Sequence, residues 1–340
     1  MDRELFVGRI RLKTAVVLLA LVHAVVLFAG FFTPYSFDTQ NRDLVLAPPA
    51  RIHFWDPHYK YRIHPFIYKR TLVPGTLNRY RENTSTAFPI RFLIEGAPYS
   101  ILGIMVSQRH LFGTGERAPI ALMGTDSYGR DEFSRLLYGG RISLFAGLAA
   151  CTTAIVLSLV LGGIAGYYGG LLDSVIMRVS EVFLSMPWLY LLLSVRACLP
   201  LHMDTQRAFL LLISLLGVVG WAKPARLIRG VVLRARTREF VKAAASFGAS
   251  DFYLLRRHVL PQASSVALTQ MALSIPQYIL AEVTISFFGL GISPPYPSWG
   301  NMLASLGSYF VLKSCWWMFA PAAALTVVLF TYHRLFSRFS

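Results

Sequence analysis

Ser143–Gly166 reads SLFAGLAACTTAIVLSLVLGGIAG, without a single charged residue. A helix needs about 20 apolar residues to cross the hydrocarbon core of a bilayer, and this run is long enough. In lipid every backbone N–H and C=O must be paired internally, so only helices and closed barrels cross. The run lacks the alternating period of a barrel strand, which leaves a helix. Working outward, similar runs occur at Thr14–Phe32, Val175–Val195, Ala208–Ile228, Val266–Leu290 and Trp316–Phe336. The expected fold class is all-α, a polytopic membrane protein with six transmembrane helices.

Composition agrees. The chain has 340 residues, 55% of them hydrophobic, which is too apolar for an ordinary soluble domain. A net charge of +16 raises nucleic acid as a partner. The basic residues instead flank apolar runs, where the positive-inside rule places them, and no nucleic-acid motif accompanies them. Membrane lipid is the expected contact, not nucleic acid. Cys151, Cys198 and Cys315 have no paired spacing and read as small apolar residues. The run Thr14–Phe32 follows Arg3, Arg9, Arg11 and Lys13, as a signal peptide would. It is longer than a signal core and leads into Phe31-Phe32-Thr33-Pro34 with no small-x-small site, so an uncleaved first helix is expected.

Charge sets the expected orientation. The basic N-terminus places the chain start in the cytoplasm. Counting spans then puts the connection from Lys223 to Pro261 there too, with Lys223, Arg226, Arg229, Arg234, Arg236, Arg238, Lys242, Arg256 and Arg257 against Glu239 and Asp251. The C-terminus, with Arg334 and Arg338, falls on the same side. Thr33 to Arg141 is a long polar stretch rich in Arg, Tyr, His and Pro, unusual for a structureless connection. A small extracytoplasmic subdomain with room for some strand is expected. The domain reading is 1–33 for the N-terminus and first helix, 34–121 for the extracytoplasmic insertion, and 122–340 for the remaining transmembrane domain.

Glu239–Gln262, EFVKAAASFGASDFYLLRRHVLPQ, is the segment most informative about function. Phe240–Phe247 is a good short helix, Gly248 suits a left-handed terminator, and Ser250 or Asp251 can cap a second helix from Phe252. Pro261 marks a change of direction into the next span. The result is a helix-turn-helix under the membrane, with small residues on one face and Arg256 and Arg257 on the second helix. Such a face admits another protein closely. The same pattern also suits an amphipathic helix resting on anionic headgroups.

The segment resembles the EAA loop of ABC importer permeases, a Glu-Ala-Ala followed by a Gly and, about a dozen residues on, a Leu-Pro. Ala243, Ala244, Gly248, Leu260 and Pro261 stand at that spacing, while Lys242 replaces the Glu. Two further segments resemble the dipeptide and oligopeptide branch. One is Gly124-Thr125-Asp126-Ser127-Tyr128-Gly129-Arg130-Asp131, continuing to Ser134, Arg135, Tyr138, Gly139, Arg141 and Ser143. The other is Ser286-Phe287-Phe288-Gly289-Leu290-Gly291 leading to Pro294, Pro295, Pro297, Ser298, Trp299 and Gly300. The C-terminal Thr331-Tyr332-His333-Arg334 lacks the family's Asn-x-x-Gly-Asp tail, and the insertion is longer than in common members.

The resemblance implies a type I ABC importer permease (MetI-like) fold in a bacterial cytoplasmic membrane. It implies a second permease subunit, two cytoplasmic ABC ATPases and an extracytoplasmic solute-binding protein as partners. Short peptides are the implied solute, with nickel chelates, glutathione or a peptide antibiotic as alternatives within the family. The implied coupling residues are Lys242, Ala243, Ala244, Gly248, Ser250, Asp251, Arg256, Arg257, Leu260 and Pro261.

No G-x-x-x-x-G-K-[ST] loop is present, and Gly113-Thr114-Gly115-Glu116 lacks its lysine. The chain is therefore expected to be no enzyme and to hold no cofactor itself, ATP and Mg being bound by the partner subunits. Glu181 and Glu282 fall inside apolar runs, where a charge must face the bundle interior or a watery path. Lining the translocation path is one reading; a structural pair, such as Arg178 with Glu181, is the other. His23 reads as an interhelical hydrogen-bonder. His53, His58 and His64, with Asp56, are not spaced for one helix face, so no metal site is expected, and no catalytic constellation appears. A secondary transporter is the rival from another class. Its expected mark, Gly- or Pro-interrupted spans in matching halves, is not read here.

Overall fold

The computed structural model describes residues 2–56, 60–101, 103–115, 118–197 and 204–336. In chain order the elements begin α1 (Asp2–Leu27), α2 (Ala29–Phe32), β1 (His53–Asp56), β2 (Lys60–Leu72), β3 (Tyr80–Pro89), β4 (Arg91–Ile101) and β5 (Met105–Gly113). Helices follow: α3 (Glu132–Tyr168), α4 (Gly170–Ser185), α5 (Trp188–Ala197), α6 (Thr205–Gly220), α7 (Ala222–Ala235), α8 (Glu239–Ser246), α9 (Asp251–Leu254) and α10 (Ser264–Phe287). The last are α11 (Trp299–Ala304), α12 (Tyr309–Ser314) and α13 (Ala320–Phe336). Two compact units result, Met1–Leu144 with Ser286–Tyr332, and Phe145–Ile285 with His333–Ser340.

In the first unit, β1, β2 and β3 form an antiparallel sheet and β4 and β5 a separate hairpin. The stretch expected to hold some strand thus holds all five of those found among the described residues, and the chain is not wholly helical. Its core is Ile67, Ile90, Phe112, Ala118 and Ile120, with Tyr35 packed against it and accepting the Ile120 N–H at 2.9 Å. A second core of Leu46, Val311, Cys315, Trp317 and Met318 joins the segment after α2 to the start of the last span. There the Trp317 indole donates to the Thr125 carbonyl at 3.0 Å.

The helix α3 contains the Ser143–Gly166 run and extends beyond it at both ends. Its 37 residues span about 55 Å at 1.5 Å per residue, against about 30 Å of hydrocarbon. Among the described residues, Glu132–Tyr168 and Trp316–Phe336 are long and apolar enough to cross a membrane. Arg207–Gly220 with Ala222–Ala235 makes a third if a 49° bend is allowed, and Lys13–Leu27 is a shorter apolar helix.

Two runs read as continuous are interrupted. Val175–Val195 breaks at Met186-Pro187, where Met186 is extended (φ −92°, ψ 140°), separating α4 from α5. The proline ring disfavours helical geometry at the preceding residue and removes a donor. Ala208–Ile228 breaks after Gly220, because Pro224 cannot donate to the Gly220 carbonyl four residues back. The next carbonyl, that of Trp221, accepts both the Ala225 N–H at 3.1 Å and the Ser158 hydroxyl at 2.7 Å. Pro276 lies inside the fifth run without ending α10. Two of the six runs expected to be continuous spans are therefore interrupted. Cys198 and Arg338 lie outside the described residues.

Candidate functional site

The segment 239–262 lies wholly within the second unit, and local chemistry builds it. The helix α8 starts one residue earlier than expected and buries only Val241. Gly248 has φ +82°. Its N–H bonds the Ala245 carbonyl at 2.9 Å, and the Ala249 N–H bonds that of Ala244 at 3.2 Å. These are the two bonds of a Schellman terminator, whose left-handed residue favours glycine. Ser250 then caps α9, accepting the Tyr253 N–H at 3.4 Å. Beyond α9 the chain passes through a wide turn, Leu255–Val259, and a tight one, Leu260–Ala263, into α10.

Leu254, Leu255, Val259 and Ala263 are buried, whereas Arg256 and Arg257 are exposed. The His258 ring lies 6.2 Å from that of Phe240 and 5.6 Å from that of Tyr253, so it ties α8 to α9. Lys242, Ala243 and Pro261 are exposed and Ala244 half-buried. Lys242, at the departing position, reaches Glu239 at 3.1 Å on its own helix. Phe240, Phe247, Phe252 and Tyr253 are all exposed, so small and basic side chains share this face with a large aromatic surface.

The segment is fastened to the C-terminal end of α3. The Tyr167 hydroxyl donates to Asp251 Oδ1 at 3.0 Å, and Arg236 donates to the Tyr167 carbonyl at 2.8 Å. Leu260 packs over Gly163, where an added Cβ would come within 2.9 Å of its side chain. One turn along, a Cβ at Gly166 would meet Val232 at 2.8 Å, so α7 lies directly on this face. Arg229 on α7 grips Asp173 on α4 with two hydrogen bonds, holding that carboxyl below the usual range. Sequence reading did not single out Tyr167, Asp173 or His258 and did not pair Arg229 or Arg236. The hydrogen-bonding partners of Tyr167, Asp173, Arg229 and Arg236 lie dozens of residues away, where no spacing rule signals them.

Glu181 lies 3.5 Å from Arg178 and 3.7 Å from Arg226, and is half exposed. Glu282 is fully buried on α10. A cavity of about 370 Å³ opens where the Pro187 break, the Gly220 break and α10 meet. Its lining includes Phe183, Pro187, Lys223, Gln277 and Tyr278; neither Glu181 nor Glu282 borders it. His23 is hydrogen-bonded between the Leu19 carbonyl, at 2.8 Å, and the Tyr332 hydroxyl, at 3.2 Å. His53 pairs with Glu82 at 3.1 Å, His64 is exposed, and His58 lies outside the described residues.

The other two signature segments come together in the first unit. Asp126 accepts the N–H groups of Tyr128 (2.8 Å) and Arg130 (3.0 Å) and pairs with the Arg130 side chain at 2.7 Å. Asp131 caps α3 through Ser134 at 2.8 Å, and burial pushes its carboxyl up to about 6. From the second segment, Ser298 and Asn301 form a capping box that starts α11. Arg135 donates to the Pro295 carbonyl at 3.2 Å, and the Trp299 indole donates to that of Leu136 at 3.0 Å.

Residues 158–339 match the family model of the binding-protein-dependent transport system inner membrane component. The chain is 35% identical over 240 residues to the dipeptide transport system permease protein DppC of Bacillus subtilis, covering 70% of this chain and 72% of that one. It is 33% identical over 272 residues to the oligopeptide transport system permease protein OppC of Escherichia coli K12, covering 78% and 88%. A solved inward-facing methionine ABC transporter aligns with 60% of this chain and 94% of its own, with TM-score 0.46 and 15% identity.

Proposed function

The chain belongs to the binding-protein-dependent transport system inner membrane components, and on that premise we propose that it forms half of the transmembrane pathway of an ATP-driven importer of short peptides. The family is a transport component and not a catalytic one. The peptide assignment rests on relatives named as dipeptide and oligopeptide permeases. Six crossings in a bacterial inner membrane, both termini in the cytoplasm and the 34–121 insertion outside make up the proposed topology. A second, related permease completes the pathway. Two ATPase subunits hold ATP and Mg, and a solute-binding protein delivers the peptide.

The observation that carries the reading is the capped α8–α9 turn fastened to the end of α3 by Tyr167–Asp251 and Leu260 over Gly163. An ATPase pressing on the exposed aromatic and basic face of 239–262 would move the buried row Leu254, Leu255, Val259 and Ala263 with it. That row runs straight into α10, so closure of the nucleotide sites biases a two-state bundle. The cavity beside Pro187, Gly220 and Lys223 supports a passage at the points where the spans are interrupted. Glu181 and Glu282 do not border this cavity; on this reading they line another stretch of the path in the assembled pair.

The test is reconstitution of this chain with its second permease, ATPases and binding protein in proteoliposomes. Short peptides are expected to stimulate ATP hydrolysis and to accumulate inside, and this chain alone is expected to hydrolyse nothing. Accumulation of a nickel chelate or glutathione but no peptide would move the solute within the family. Uptake driven by an ion gradient without ATP would overturn the reading.

A further inference from the structure

The hairpin β4–β5 carries an apolar tip that the transport reading does not use. Ile104, Met105 and Val106 are 83%, 66% and 74% exposed, and Ile101 pairs with Met105 at the end of the ladder. Consecutive exposed apolar residues mark an interaction surface, and a two-stranded hairpin alone is marginal in water.

Three contacts within the first unit fix where the tip points. Phe112, at the hairpin base, shares a core with Tyr35. His110, next along, hydrogen-bonds the Thr33 carbonyl. The ring of Tyr99, further along again, lies so tightly on Gly30 that an added Cβ would come within 2.2 Å of it. The series Phe112, His110, Tyr99 therefore matches Tyr35, Thr33, Gly30, and the hairpin runs back along the chain toward α1. Tyr99 pairs with Ser107, and the tip pair Ile101–Met105 is two residues beyond. At about 3.4 Å per residue that places it roughly 7 Å past Gly30, toward the middle of the first span.

We propose that this tip is seated in the bilayer, with Ile101, Ile104, Met105 and Val106 at the acyl boundary beside α1. The inference rests on reading α1 as a membrane span. It continues a surface already apolar and outward-facing, since Val17 and Leu21 of α1 are exposed. Polarity changes at the right level. Gln108 and Arg109 are exposed just above the tip, and Tyr99 lies where interfacial aromatic residues collect. Interfacial segments bury their apolar faces about 5–10 Å deep, which matches the reach of the tip. The turn is suited to it, because the Ile104 N–H is satisfied by the Ile101 carbonyl at 3.0 Å. The open edges of the ladder keep it shallow, as unpaired backbone is not tolerated deeper.

Nitroxide labels at Ile104→Cys, Val17→Cys and Ser85→Cys test this in the full complex, reconstituted in phosphatidylethanolamine–phosphatidylglycerol vesicles. The three native cysteines are replaced by alanine. Collision with oxygen, which partitions into lipid, is compared with collision with a water-soluble nickel chelate. The oxygen-to-nickel ratio is expected to lie above one at 104 and 17 and below one at 85. A ratio below one at 104 with 17 above it overturns the inference and leaves the span intact. Ratios below one at both show that α1 is not a lipid-facing span, and the inference falls with it. Shielding at 104 that requires added solute-binding protein assigns the tip to that protein, which also overturns it.

Discussion

Gly248 is the position where one side chain's absence decides the geometry of the proposed coupling segment. Its φ of +82° is left-handed, and an added Cβ would meet nothing within 4 Å. The cost of a substitution there is therefore backbone strain and not collision, about 1 kcal/mol or more for a β-branched residue. Gly248→Val is expected to remain in the membrane while losing ATPase co-purification and transport-linked hydrolysis. Gly248→Asn, which tolerates the left-handed region, should retain most of both. Equal behaviour of the two variants would show that the turn is not the coupling element. Lys242 gives the contrasting case. It and Glu239 are both largely exposed, so their pair is worth a few tenths of a kcal/mol after solvent screening. Lys242→Glu is expected to leave transport within about twofold of the parent, as peptide uptake would show.

At the scale of elements, the joint between α9 and α3 is a single hydrogen bond at their exposed ends, Tyr167 to Asp251. A hydrogen bond to a charged group contributes about 1.5 kcal/mol or less when solvated, so Tyr167→Phe and Asp251→Ala, each of which deletes one partner, should each reduce peptide-stimulated hydrolysis about two- to fivefold. The double variant should be no worse than either single one, since both remove the same bond; additive losses would mean separate roles. This joint was not legible in the sequence. Gly248 and Ser250 were, because a terminator and a cap act on the residues beside them; at Pro261, read as a change of direction, the backbone stays helical through a tight turn into α10. The segments around Asp126 and Trp299 were legible as signatures, but their meeting through Arg135 and Leu136 was not. The breaks at Pro187 and Gly220 were missed for a different reason. Pro187 and Pro224 stand in plain view, but hydropathy summed over a window hides a local loss of one backbone donor. The strands of 53–113 were foreseen only as a kind of structure, because their register depends on partners outside any local window, such as Phe66 with Pro89.

At the scale of the whole molecule, two exposed positions report the side of the membrane on which the 34–121 insertion and the 239–262 segment lie. Ala245, on α8, and Ser85, on β3, are both exposed, so a difference in their labelling reports the membrane and not burial. Cys151 and Cys315 are buried, and replacing Cys198 by alanine removes the remaining thiol. The basic excess of residues 223–257 argues for the cytoplasm, because retained positive charge sets the side of short connections. The polar 34–121 stretch is long enough to cross regardless of its arginines, so its charge does not oppose that assignment. In intact cells a membrane-impermeant maleimide is therefore expected to label Ser85→Cys and to spare Ala245→Cys. Permeabilisation should then expose Ala245→Cys, which separates protection by the membrane from protection by a docked ATPase once that subunit is stripped. Labelling of Ala245→Cys in intact cells would place the coupling face where no cytoplasmic ATPase can reach it. The fastening of α9 to α3 would then need another purpose.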